Sequence, residues 1–137
     1  MDVAELKETF TFFDDWEDKY RFVIDLGKEL QDIPDEDKQD ENLIRGCQSQ
    51  VWLTHQITTD GTLNFKLDSD AFIVRGLISI VLTALNNKRP EDILAFDIYA
   101  LFEELELLQH LSQTRGNGLR AMIARIREIA EDLSSRS

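Results

Sequence analysis

One cysteine, two prolines and two histidines in 137 residues leave several kinds of chemistry without material. The single cysteine, Cys47, rules out an internal disulfide and cannot alone hold an iron-sulfur cluster, which needs several ligands. It fits a reducing, cytoplasmic setting. His55 and His110 are far apart in sequence and neither lies at ligand spacing from the cysteine, so a metal site has no ligand set and both read as structural or surface residues. Basic residues are outnumbered, 15 Lys and Arg against 27 Asp and Glu, and the formal net charge of -12 repels both nucleic-acid phosphates and anionic lipid headgroups. No stretch approaches the roughly 20 apolar residues that span a bilayer. The start, Met1-Asp2-Val3-Ala4-Glu5, lacks the basic residues and apolar run of an export signal. There is no glycine-rich phosphate loop, no repeat, no low-complexity tract, and no Ser-His-Asp or Cys-His arrangement that spacing identifies. Nothing marks a cofactor lysine, and no cofactor is expected.

What is present suffices for a folded chain. Hydrophobic residues at 42% and charged residues at 31% are ordinary globular proportions, and the length suits one domain, residues 1–137, able to bury a core without staples. Val3, Leu6, Phe10 and Phe13 recur at helical spacing up to about Asp14. Asp15 is placed to cap a second helix whose inner face offers Trp16, Tyr20, Val23, Ile24 and Leu26, with Gly27 where a terminal glycine would stop or loosen it. The stripe Phe10, Phe13, Trp16, Tyr20 reads as core. From Gln31 to Asn42 six acids against Lys38 read as a solvated connection without the ligand order of a calcium loop.

Val51, Leu53 and Ile57, then the turn at Asp60-Gly61, then Leu63, Phe65 and Leu67 alternating with polar residues, predict a β-hairpin. Leu43-Ile44 would supply a short third strand, placing Cys47 at a tip on the sheet edge. Asp68-Ser69-Asp70 offers cap oxygens for a helix over Ala71 to Leu85 that is apolar nearly all round and is expected to be the central core helix. Asn86-Asn87 ends it, Pro90 begins a short helix, and another follows Asp97. Ser112 to Gly118 reads as a loop, after which Leu119, Met122, Ile123, Ile126, Ile129 and Leu133 form the stripe of a last helix. Helices, a short antiparallel three-stranded sheet and further helices make an α+β domain.

Gly46-Cys47-Gln48-Ser49-Gln50-Val51-Trp52 is the stretch on which a function turns. A thiol is the strongest ordinary side-chain nucleophile, and here it follows a glycine and precedes polar residues, as on an exposed loop. Free cysteine is also a common small core residue, and from the residues alone the inert reading stands ahead.

Taken together, Trp16-Glu17-Asp18-Lys19-Tyr20 with Leu26-Gly27, the Gly46 to Trp52 stretch, Asp68-Ser69-Asp70-Ala71 with Ile73-Val74-Arg75-Gly76-Leu77, and Leu111-Ser112 with Arg115 and Gly118-Leu119 resemble the SufE/CsdE family of cysteine-desulfurase sulfur acceptors. The likeness covers nearly the whole chain. It departs at Leu67, where the family often has glycine. The resemblance implies a fold similar to IscU-type iron-sulfur scaffold proteins and a covalent sulfur carrier, not an enzyme in its own right. Cys47 would take persulfide sulfur from a pyridoxal-phosphate cysteine desulfurase, stimulating it, and pass the sulfur to an iron-sulfur assembly scaffold or another acceptor. Arg115 matches a family position and, with Arg45, would supply positive potential; Asp70 matches another and is expected to cap its helix. The competing readings are a noncatalytic interaction domain and a redox-sensing thiol.

Overall fold

Two glycines let a pair of helix backbones touch. The computed structural model describes residues 1–47 and 49–136; Gln48 of the cysteine stretch and Ser137 lie outside the described residues. Helix α2 (Trp16–Glu29) packs along helix α3 (Phe72–Leu85), and a Cβ built on Gly27 would stand 2.8 Å from the Gly76 nitrogen and overlap the Phe72 carbonyl. Gly27 therefore lies inside α2 and does not end it. The sequence expectation fails because a glycine that lets two helix backbones touch looks, in one dimension, like a terminator.

Helix α1 (Val3–Phe10) precedes α2, ending four residues before Asp14, with Asp2 as its cap. Asp15 caps α2 as its type suggests, its carboxylate accepting from the Asp18 amide at 2.9 Å. Because the chain turns a corner between the two helices, the aromatic stripe does not stay inside. Phe10 is buried against Phe13 and Phe22, whereas Trp16 is half-buried and Tyr20 exposed. Val23, Leu26 and the stem of Lys19 complete the buried face of α2 instead.

The hairpin is strand β1 (Val51–Ile57) paired antiparallel with strand β2 (Leu63–Ser69), Leu53 opposite Leu67 and His55 opposite Phe65. The expected third strand is a correction. Leu43 and Ile44 make only an isolated bridge, Leu43 with Trp52, closed by the Ile44 amide donating to the Val51 carbonyl at 2.9 Å. A short 3-10 turn at Asp40–Asn42 and the positive φ of Gly46 leave no length for a strand between them. On the other edge Asn87 and Lys88 bridge Leu63, and the Asn86 side chain bonds both backbone groups of Phe65.

The acidic connection is less solvated than its composition suggests. Ile33 is buried, its amide donates to Asp68 at 3.3 Å, and the Lys38 ammonium lies 5.6 Å from the Trp52 ring centre. Asp68 is itself buried in an ion pair with Arg75 of α3, whose guanidinium also reaches the Gly27 and Leu30 carbonyls and Asp32. Arg75 thus ties the end of α2, β2 and α3 together, and Asp68 is not a helix cap. Ala71 occupies the cap position of α3 without a side-chain bond.

Helix α4 (Pro90–Ala95) begins on its proline, and α5 (Ile98–Glu104) follows Asp97, whose carboxylate accepts from the Ala100 amide at 3.1 Å. Helix α6 (Gln113–Arg136) is longer than expected, because the Ser112 to Gly118 segment is helical from Gln113 on. Ser112 caps it, its hydroxyl accepting from the Arg115 amide at 3.2 Å. Helix α6 packs on α4 and α3, and residues of α1 to α6 and both strands share one apolar cluster. The architecture is α+β, with helices around a two-stranded antiparallel sheet.

Candidate functional site

Cys47 lies where the turn after Ile44 meets the first turns of α6. Gly46 adopts φ +91°, a region open mainly to glycine, and this turns the chain so that the next side chain points to α6. Its sulfur is 3.6 Å from the Gly118 carbonyl oxygen, to which the thiol can donate, and the Gly118 backbone has no side chain to cover it. A Cβ on Gly118 would be 3.7 Å from that sulfur, in ordinary contact. The two glycines of the segment read as a loop, Gly116 and Gly118, thus sit inside a helix, and Gly118 leaves space for a sulfur atom.

The thiol opens on a cavity of about 220 Å³. Val74, Leu77, Leu119 and Met122 make its floor, and Ser49, Ser112, Thr114 and Arg115 its polar rim. The fold therefore brings Cys47 and Arg115, far apart in sequence, to one place. Arg45 is exposed on the turn and is not among the described residues lining the cavity. Asp70 does not cap α3; its carboxylate accepts from the Gln50 amide at 3.1 Å and so holds the chain just after the cysteine to the end of β2.

Cys47 is half-buried, and burial pushes its thiol above the ordinary value because the thiolate loses solvation. The sequence expectation is of positive potential favouring the thiolate. Here the neutral thiol is favoured, with a carbonyl oxygen as its neighbour.

Sequence reasoning missed three parts of this site: the Gly118 carbonyl, the Ser112 cap and the wall supplied by α3. The cap had a signal, a serine a few residues ahead of an apolar helical stripe. The carbonyl and the wall had none, since both depend on how α6 lies against α3.

The histidines stay out of the site. His110 stacks on Trp16 with ring centres 4.4 Å apart, and His55 is exposed beside Phe65, its pKa held down by partial burial and then by Arg125. Among the described residues no group of three or more His, Cys, Asp or Glu side chains could hold a metal ion, and no helix is long and apolar enough to cross a membrane.

The fold is shared with a protein of Thermus thermophilus whose solution structure superposes with a TM-score of 0.76, covering 97% of this chain and 96% of the other at 14% identity. That likeness defines a class of α+β fold. The sequence goes further: residues 4–130 match the SufE family, described as an Fe-S metabolism associated domain. A SufE-like protein of Rhizobium meliloti is 45% identical over 130 residues, covering 93% of each chain. One of Rhizobium etli is also 45% identical over 130 residues, 93% of this chain and 88% of its own. The chain belongs to the SufE family, and its role is tied to iron-sulfur metabolism.

Proposed function

We propose that the protein is a sulfur acceptor that takes persulfide sulfur from a cysteine desulfurase onto Cys47, stimulates that desulfurase and passes the sulfur on for iron-sulfur cluster assembly. In this reading residues 1–137 act as one domain of the cytoplasm, akin in fold to IscU-type scaffold proteins. The pyridoxal phosphate belongs to the partner. The observation that carries the reading is the only thiol in the chain opening on a space of about 220 Å³, larger than the side chain needs. An inert core cysteine would be close-packed on every side.

The transfer is a thiol exchange. The Cys47 thiol loses its proton, and the thiolate attacks the terminal sulfur of the donor persulfide. A bond forms between Cys47 Sγ and that sulfur, the donor's sulfur-sulfur bond breaks, and the donor cysteine leaves as a thiolate that takes up a proton. Burial works against the first step, so the resting thiol is protected, and the partner must either draw the Gly46-Cys47 turn away from Gly118 or bring positive charge to it. In this reading Arg115, on the rim of the cavity, steadies the negative charge that develops on sulfur. A redox sensor is disfavoured on the same ground, since sensing thiols are acidic and open to solvent.

Mass spectrometry of the intact protein after incubation with a desulfurase and cysteine tests this. Wild type should gain one sulfur atom, and Cys47→Ser should gain none while melting near the wild-type temperature and still binding the desulfurase, because the hydroxyl stays protonated at neutral pH. Equal stimulation of the desulfurase by both forms would overturn the assignment.

A further inference from the structure

The thiol and its cavity leave the aromatic surface beside them without a role. Trp16 and Tyr20 lie one helical turn apart on α2, ring centres 5.8 Å apart and edge to face, and Tyr20 is 37% exposed. With Glu17 and Arg21 they line a surface groove of about 270 Å³. His110 stacks on the indole at 16° to its plane and holds it in place. The indole–His110 stack leads along the chain to Ser112 on the rim of the thiol cavity, two peptide steps on, so the Cα atoms of His110 and Ser112 lie within about 8 Å of each other.

The other tryptophan supplies a comparison within the same chain. Trp52 is buried and already has a cation of its own, Lys38 at 5.6 Å. Trp16 has aromatic neighbours and no such cation among the described residues. The charges around it favour one. Glu17 lines the groove with Arg21, Asp14, Asp15 and Asp18 are its neighbours along the chain, and the Lys19 ammonium is committed to Glu106 at 2.9 Å, so acids outnumber the free base. An aromatic ring with a free carboxylate beside it attracts an ammonium or guanidinium through both the ring quadrupole and the charge.

We propose that the Trp16–Tyr20 groove, backed by His110, is a docking site for a lysine or arginine side chain of the sulfur-donating partner, bound beside the thiol cavity as sulfur is transferred. This rests on the sulfur-acceptor reading for the identity of the partner. The aromatic pair gives the partner a fixed point that does not involve Cys47, so docking can persist while the cysteine turn moves.

Two measurements test it. In NMR titration of the isotopically labelled full chain with a tetra-arginine peptide, the Trp16 indole N–H and the Tyr20 ring should shift and the Trp52 indole N–H should not. Tyr20→Ala and Glu17→Gln, both at exposed positions, should melt near the wild-type temperature and weaken binding to the desulfurase by about 2- to 30-fold, the range of one cation-aromatic contact. At saturating desulfurase their Cys47 should still be persulfidated as fully as in wild type. Wild-type affinity in both variants, or a peptide that leaves Trp16 unmoved, overturns the docking site while sulfur uptake by the wild-type protein keeps the carrier reading intact. A wild-type protein that takes up no sulfur while the peptide still moves Trp16 marks the opposite failure: the carrier reading falls, and the sulfur donor falls with it as the occupant of the groove.

Discussion

Helix α3 meets α2 at a glycine, and Cys47 meets α6 at a glycine, yet the two contacts are built for opposite ends. At Gly27 and Gly76 the backbones themselves touch, so that a methyl on Gly76 would stand 2.6 Å from a Val23 methyl and overlap the Val23 carbonyl. The Arg75 guanidinium, bonded to the Gly27 and Leu30 carbonyls and paired with Asp68 and Asp32, locks that crossing. At Gly118 a methyl would fit, 3.7 Å from the Cys47 sulfur. One glycine is needed because there is no space; the other leaves space that packing does not use. The first region serves stability, and the second keeps a sulfur atom approachable, which a close-packed interior would not.

The largest effect on stability should come from breaking the lock. Asp68 is 1% exposed, and Asp68→Ala leaves Arg75 buried with the exposed Asp32 as its remaining carboxylate, a loss of about 3 kcal/mol and roughly 10 °C in melting temperature. Calorimetry decides the point, and a shift within about 2 °C of wild type would show that the pair does not hold the crossing.

Alanine at the two kinds of glycine should act with opposite signs. Gly76→Ala forces α2 and α3 apart at a cost of about 1–3 kcal/mol or more. Gly118→Ala, inside α6 with room for its methyl, should stabilise by about 0.5–1 kcal/mol through helix propensity, while slowing sulfur uptake because the methyl stands beside Sγ. Urea denaturation of both variants and a persulfidation time course of the second would measure this. If Gly118→Ala destabilises as much as Gly76→Ala, the contrast between the two regions is wrong.

The smallest effect is in pH. A thiol whose pKa is raised by burial is neutral in both folded and unfolded chains below about pH 8.5. Above that the unfolded chain ionises first, so stability falls as pH rises toward the folded value. Alkylation by iodoacetamide should therefore climb with a midpoint above about 8.5. A midpoint on the acid side would mean that Arg115 or another charge outweighs burial.

Much of this was legible in the residues themselves. Asp15, Pro90 and Asp97 mark helix starts by chemistry that acts within one turn. The hairpin follows from alternation and Asp60-Gly61, and α3 from its nearly unbroken apolar run. The errors share a cause. Gly27, Gly116 and Gly118 read as breakers, Asp68 and Asp70 as caps, and Tyr20 as core, because a one-dimensional reading weighs each residue by its neighbours along the chain. Gly27 answers to Gly76, Asp68 to Arg75, and Asp70 to the Gln50 amide.

The family, the α+β class and the one thiol through which sulfur chemistry could run were determined by the sequence alone, since ordered motifs, hydrophobic periodicity and cysteine count need no third dimension. Only the tertiary structure decided that the thiol is half-buried with its pKa raised, that Arg115 shares its cavity, and that Gly118 rather than a side chain faces it. The reason is physical: solvation and reactivity depend on the atoms that surround a group, and around Cys47 those atoms come from α3 and α6, both distant along the chain.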